Sequence, residues 1–307
     1  MEKVFTVVIP TKNRYEDLNR LLESISNQTL LPQRVVIVDQ SDKKSDFDYE
    51  KSSSDIEIKH LYEPQVSGLC AAKNLGVKYA VGDCVYFFDD DIILDNDFFE
   101  TIDRHFKQNP QYYGICGRQK NSKSSKFKVA MFDLLHIGPF RDIRKKCNSG
   151  YIKKSLVQTD VLPGGITAYR TEVFKVFEFD ETLIKYCLGE DMDFSYRVSR
   201  KYQLAFATDA TALHNHSKIG RYDPIESFAC KVAGYGYFYR KNVKETKKTK
   251  AAYILVNIGI FLDATVYALK NKNTDSFMGL KRGRAYIKNG FADVPFINKT
   301  KIREVFQ

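Results

Sequence analysis

Three consecutive aspartates, Asp89, Asp90 and Asp91, follow directly on the apolar run Cys84–Phe88. That run, CVYFF, has the length and composition of a central strand buried on both faces. No turn residue intervenes, so the carboxylates project at the strand's C-terminal edge, where open α/β sheets bind ligands. Alternation puts Asp89 and Asp91 on one side, spaced to share a hard cation through oxygen ligands. Three adjacent like charges are costly unless a cation or a partner neutralises them. A solvated loop that caps a helix is the plain alternative, and the apolar run before the aspartates argues against it. An EF-hand register starting at Asp89 fails, because its sixth position is Leu94 and not glycine.

Other residues of this kind are spread along the chain. Asp39 ends the apolar stretch Arg34–Asp39, again at a strand's C-terminal end. Glu190, Asp191 and Asp193 cluster in GEDMDF at the start of a helical pattern, where acidic side chains also offset the macrodipole. His214 and His216 alternate in LHNHS, so both face one way on a strand-like segment.

The elements that must position these groups alternate between strand and helix signals. Phe5–Ile9 reads as a strand ended by Pro10. Leu18, Leu21, Leu22 and Ile25 then recur at helical spacing. Arg34–Asp39 and Ile56–Tyr62 are further strands, and Leu69–Ala80 is a helix opened by Gly68. After Cys84–Phe88 comes a helix marked by Phe98, Phe99, Ile102 and Phe106, then a short strand at Tyr113–Gly117. Repeated β-α units predict an α/β fold with a mostly parallel, doubly wound sheet. Residues 118–155 break this rhythm. They are rich in Lys, Ser and Arg, with one apolar patch at Val129–Ile137, and are expected to form a functional loop or mobile lid. A Gly164–Gly165 turn, the acidic helix and a strand-like stretch, LAFATDATALHNHS (204–217), follow, and from Pro224 onward the pattern is helical.

Composition excludes several classes. The chain has 307 residues, 43% hydrophobic and 28% charged, which is globular and not disordered. Its six cysteines form no CxxC pair, which argues against zinc and a disulfide framework and for a reducing compartment. MEKVFTVVIP runs straight into a strand, with no signal-peptide pattern. The formal charge of +10 lies wholly in residues 240–307, which carry 15 Lys and Arg against 5 Asp and Glu. A basic tail on a neutral body predicts an anionic partner surface, with a solvated lysine-rich helix as the alternative. Within it Ala251–Leu269 approaches membrane-spanning length but contains Asn257 and Asp263. Gly259, Asp263 and Lys270 share one narrow stripe of that helix, which suits a helix lying in an interface or packed on the body.

Four segments in order, VVIPTKNR (7–14), VIVDQS (36–41), GLCAAKNLGVKYAVGDCVYFFDDD (68–91) and GEDMDFSYR (189–197), carry a resemblance. Over roughly residues 4–216 the chain resembles the family 2 glycosyltransferases of the GT-A fold. The resemblance implies inverting transfer of a sugar from a nucleotide diphosphate donor to an acceptor hydroxyl. It implies a divalent cation, Mn²⁺ or Mg²⁺, that offsets charge on the leaving diphosphate. Asp91 would be its direct ligand, with Asp89 in that role as the alternative and His214 or His216 completing the shell or touching the diphosphate. Asp90 would face ribose or sugar. Asp39 would accept a bond from a pyrimidine ring N–H, favouring UDP- or dTDP-sugars, and Pro10, Thr11 and Arg14 would line the nucleotide pocket. Lys73 replaces the family's more common arginine as a phosphate contact.

Transfer also needs a carboxylate to deprotonate the acceptor. The resemblance makes Asp191 that general base, Glu190 its orienting or acceptor-binding partner, and Gly164 and Gly165 a turn that lets backbone approach the acceptor. The implied organisation is a catalytic domain over 1–223, with a nucleotide-sugar-binding half (1–117) and an acceptor-binding half (118–223). A basic helical region, 224–307, follows. The acceptor would be a glycan or lipid-linked glycan of bacterial surface polysaccharide assembly, and the enzyme would sit peripherally on the inner face of the cytoplasmic membrane. A sugar-nucleotide nucleotidyltransferase would need a glycine-rich loop after the first strand, and TKNRYED has no glycine. A nucleic-acid binder would explain the charge and leave the acidic edge without a role.

Overall fold

Four apolar segments form the parallel half of one sheet. They are β1 (Phe5–Thr11), β2 (Arg34–Asp39), β3 (Glu57–Tyr62) and β4 (Cys84–Phe88), ordered β3-β2-β1-β4. The computed structural model describes residues 4–51, 53–184, 189–217, 222–291 and 293–306. Strand alternation sends side chains to both faces, and both are covered. Phe5, Val7 and Ile9 pack with α1 (Tyr15–Ser26), whose Leu18, Leu21 and Ile25 recur at helical spacing. Val8, Val36 and Val38 go to the other face with Cys70 and Ala72 of α2 (Leu69–Val77). Pro10 does not end β1. The strand runs on to Thr11, because pairing with β4 stops at Val8 and leaves one side of Pro10 without a strand that needs its N–H.

The sheet continues with the strands expected at Tyr113–Gly117 and within residues 204–217, and with three short ones that the alternation left unread. A short β5 (Ile92–Leu94) precedes α3 (Phe98–Gln108), and β6 (Tyr112–Gln119) follows. Further on lie β7 (Leu156–Thr159), β8 (Ile166–Arg170) and β9 (Gln203–His214). β8 runs antiparallel between β4 and β6, whereas β9 runs parallel to β6 and antiparallel to β5 and β7. The insertion of β8 beside β4 sets the Gly164–Gly165 turn next to the aspartates.

Residues 118–155 are not an irregular lid. They hold α4 (Lys126–Leu135), a 3₁₀ turn at Gly138–Phe140, and α5 (Arg144–Asn148). Val129, Leu135, Phe140, Ile143 and Cys147 are buried and fasten the segment to the body. Hydrophobic anchors spaced through a lysine-rich stretch decide this, not its average polarity.

The acidic helix is α6 (Glu190–Ser199). Beyond it α7 (Pro224–Asn242), α8 (Lys247–Asn271) and α9 (Asp275–Lys288) pack on one another and on the preceding part of the chain through Phe140, Val161 and Met192. Asp193, 1% exposed, accepts bonds from Arg197 (2.9 Å) and Asn242 (2.8 Å) and pairs with Lys241 at 2.8 Å. It ties α6 to α7. α8 starts in a Thr246–Thr249 capping box and, by length and composition alone, is apolar enough to cross a membrane. It packs on the body through the stripe that holds Gly259 and Asp263.

The tightest helix-to-sheet approach is at Gly76, where an added Cβ would lie 2.3 Å from Val8 Cγ1. Gly76→Val is expected to cost about 1–3 kcal/mol through overpacking. A urea titration should show a lowered midpoint at unchanged slope.

Candidate active site

A cleft of about 750 Å³ opens at the C-terminal edge of β1, β2 and β4. The first loop contributes Pro10, Thr11 and Arg14, the end of β4 contributes Asp89–Asp91, and Gly164, Gly165, Glu190, Asp191 and His214 also line it. This is where the crossover topology leaves strand ends uncovered.

The three aspartates have different surroundings. Asp89 donates its backbone N–H to Gly165 O at 3.2 Å. A Cβ on Gly165 would sit 2.1 Å from Asp89 Oδ2, so only glycine admits this carboxylate. Asp90 points to the first loop, accepting from Thr11 Oγ1 at 2.8 Å and pairing with Arg14 at 3.0 Å. Asp91 accepts from the Ser217 N–H at 2.9 Å and lies 3.0 Å from His214 Nε2. Asp89, Asp91 and His214 each offer a ligand atom, all within 4.8 Å of one another.

Electrostatics follow from those surroundings. Burial pushes Asp89 up, against the pull of Lys73 and His214. It also pushes Asp90 up to about 7, against Arg14 and Thr11. At Asp91 burial is outweighed by His214, the Ser217 amide and Arg14, which bring it down to about 2. Asp89, penalised by burial, beside Asp91, held ionised, and His214 form a donor set whose crowded charge a divalent cation would relieve. The residues therefore fit such an ion. His216 takes a left-handed backbone, φ 53°, and stacks on His214 with ring centroids 4.1 Å apart.

Across the Gly164–Gly165 turn stands the start of α6. Asp191 Oδ2 accepts the Gly164 N–H at 3.1 Å and an Arg144 N–H at 3.1 Å, while Arg144 Nε donates to Asp142 at 2.7 Å. Arg144 is the principal cleft residue that the sequence reading missed. It lay inside a lysine-rich stretch with no motif, and only the path of α5 brings it to Asp191. Lys231 and Tyr235 of α7 also line the cleft and were missed for the same reason. Glu190 is raised to about 7 by burial and by Asp191, against Lys73.

Two residues expected at the nucleotide lie behind the wall. Lys73 is 1% exposed on the core face of α2, its Nζ 3.8 Å from Glu190. A Cβ on Gly164 would meet that Nζ at 2.9 Å, so the ammonium sits under the turn, toward Glu190. Asp39 is fully buried. It accepts from Ser41 N (2.9 Å) and Tyr15 Oη (2.8 Å), and His60 Nε2 lies 2.9 Å away. Burial would raise it, but His60, Ser41 and Tyr15 hold it below the ordinary carboxylate range. Its neighbour Gln40 faces the cleft instead.

Comparison with known proteins agrees with this architecture. The family model for glycosyl transferase family 2 matches residues 6–177. The O-antigen chain rhamnosyltransferase RfbN of Salmonella typhimurium is 25% identical over 227 residues, covering 73% of this chain and 68% of its own length. The uncharacterized glycosyltransferase YwdF of Bacillus subtilis is 26% identical over 229 residues, covering 70% and 75%. Among solved structures, S. aureus TarS 1–349 superposes with a TM-score of 0.58 at 16% identity, covering 99% of this chain and 88% of TarS 1–349. GalNAc-T7, solved with UDP, GalNAc and Mn²⁺, gives 0.57 at 15% identity, covering 88% of this chain and 57% of its own. At such identities the structures bear on the fold, which is of the GT-A type. With a family match over more than half of its length, on the strands that build the cleft, the chain belongs to glycosyl transferase family 2 and is a glycosyltransferase.

Proposed function

We propose that this enzyme moves a sugar from a nucleotide diphosphate donor to an acceptor hydroxyl with inversion, by direct in-line attack. One observation carries the reading. The Gly164–Gly165 turn abuts Asp89 on one side and hydrogen-bonds Asp191 on the other, so a cation-type donor set and a separate carboxylate share one cleft. Inverting displacement needs those two functions: charge stabilisation at the leaving group and a base at the nucleophile.

Asp89, Asp91 and His214 hold the divalent cation, Mn²⁺ or Mg²⁺. When bound it supplies positive charge to the departing diphosphate. Arg14, paired with Asp90, lies on the same side and faces the phosphates or sugar. Asp191 takes the acceptor proton. Arg144 and the Gly164 amide fix its rotamer, and Glu190 positions the acceptor. A pyrimidine base reaches Asp39 only if Tyr15 or His60 gives up its bond, so donor preference for UDP or dTDP rests on that exchange. GalNAc-T7, a fold neighbour solved with UDP and Mn²⁺, supports the donor class and the ion. RfbN, an O-antigen chain rhamnosyltransferase, supports a glycan or lipid-linked glycan acceptor in surface polysaccharide assembly. Residues 240–307 attach the enzyme to an anionic membrane surface, peripherally and on its cytoplasmic side.

A hydrolysis screen over nucleotide sugars with Mn²⁺ or Mg²⁺ identifies the donor. Asp91→Ala is expected to lose most activity and most metal-dependent nucleotide binding while its circular dichroism stays native. Full turnover in excess EDTA would remove the cation from the mechanism. Asp191→Asn should slow transfer by roughly 10²–10⁴ while donor affinity, read by calorimetry, stays within error of wild type. Loss of donor binding in that variant would move Asp191 to the nucleotide site. Co-sedimentation with anionic vesicles should fall steeply as salt rises, since each basic residue contributes about 1 kcal/mol and the attraction decays within about a Debye length. A residual that salt does not remove reports apolar insertion.

A further inference from the structure

α8 is apolar on the face it turns to solvent. Ile254, Ile258, Phe261, Leu262, Val266 and Leu269 are 41–75% exposed and fall on one stripe of the helix. The opposite face, with Ala252, Val256, Gly259, Ile260 and Ala264, is buried against the body. Charges gather at the helix ends, with exposed Lys247, Lys248 and Lys250 before the stripe and Lys270 and Lys272 after it. Apolar bodies flanked by lysines are the pattern of a helix lying in a lipid interface.

A second element packs on α8 from its buried side. α4 packs on α8 through Leu135, which would lie 3.5 Å from a Cβ on Gly259, and the following turn packs Phe140 against Tyr253 with ring centroids 5.9 Å apart. α4 leaves Phe127 (75%) and Leu134 (62%) exposed seven residues apart, on one helical face, with exposed Lys126 and Lys128 on either side of Phe127. Residues 118–155 carry 11 Lys and Arg against 2 Asp and Glu, a second basic concentration that the neutral sum over 1–239 conceals. The two acidic side chains nearest this surface are engaged: Asp133 lies 3.7 Å from Lys146 and Asp263 3.2 Å from Lys231.

We infer that α4 and α8 form one docking face for an anionic lipid bilayer, so that the acceptor-side segment itself contacts lipid. This rests on the reading that residues 240–307 attach to a membrane, and extends it to a part of the catalytic domain. Charge complementarity selects the occupant: two basic segments, packed on each other, each carry exposed apolar side chains. Lys231, which pairs with Asp263 of α8, also lines the cleft, so α8 stands close to the cleft. An acceptor carried on a lipid would enter from that side.

The chain contains no tryptophan, so a single introduced indole reports on its own surroundings. Leu134→Trp and Val266→Trp are placed at exposed positions in the full-length enzyme and titrated with phosphatidylglycerol–phosphatidylcholine vesicles, pure phosphatidylcholine vesicles and brominated-lipid vesicles. The expected result is a blue shift and bromine quenching for both variants on anionic vesicles, lost for both in high salt or reduced to the same residual. A response from Val266→Trp with Leu134→Trp unchanged from buffer overturns the inference and leaves the attachment of the tail standing. Silence from both overturns the two together. A blue shift that grows with protein concentration without vesicles, with a dimer in sedimentation equilibrium, assigns the face to a second copy of this chain and also overturns it. As a check that adds no fluorophore, Phe127→Glu with Leu134→Glu should weaken vesicle binding severalfold at unchanged donor hydrolysis.

Discussion

Crowding of negative charge at the end of β4 is the constraint on which the rest of the cleft depends. A strand buried on both faces delivers three carboxylates to one edge, and each must be neutralised there or lose its charge. The protein divides the problem. Asp90 is turned to the first loop and met by Arg14 and Thr11, while Asp91 is met by His214 and a backbone amide. Asp89 has the Gly165 backbone against it and, at longer range, the buried Lys73. What remains is a pair of carboxylates and an imidazole gathered within 4.8 Å, a donor set whose crowded charge a cation would relieve. The same crowding that would destabilise an ordinary loop here prepares a site.

Around that edge, elements far apart in sequence meet at short distances. The Gly164–Gly165 turn reaches the aspartates because β8 is threaded antiparallel beside β4. Its backbone then links the two halves of the chemistry, with Asp89 on one side and Asp191 on the other. α5 contributes Arg144, and Asp142 orients that guanidinium in turn, so the carboxylate assigned as base is held by a chain of charge-assisted bonds. Below the turn Lys73 and Glu190 form a buried pair that supports α6 from behind. Asp193, acidic and in the same motif, faces the other way and serves packing, since α7 occupies its lone pairs.

The C-terminal helices take part in the cleft. α7 lines it with Lys231 and Tyr235 and is fastened to the preceding part of the chain through Asp180 and Asp193. α8 buries one apolar face on that support and leaves another in solvent, an arrangement that costs free energy in water unless something apolar covers it. The geometry therefore leaves an exposed hydrophobic surface on the C-terminal helices of a glycosyltransferase.

Local signals in the sequence were enough for the parallel half of the sheet and for the identity of the acidic edge. Apolar runs of strand length, helical spacing of Leu18, Leu21 and Ile25, and the unbroken passage from CVYFF to DDD depend only on near neighbours, so a linear reading reaches them. The short strands β5, β7 and β8 escaped it, because three to five residues without alternation carry no period and form only when β9, β4 and β6 are there to pair with them. The helices α4 and α5 were hidden by lysines whose apolar anchors matter only once a body exists to receive them. Which way a side chain turns was likewise a tertiary matter. Lys73 and Asp39 stand at motif positions that read as ligand contacts, yet the packing of α2 and the Tyr15–His60 cover turn them inward. Arg144 had no motif and ended beside Asp191. Residue type and spacing determined what chemistry the chain carries; the three-dimensional path alone decided which groups face it, because burial and partner choice are properties of the folded surface.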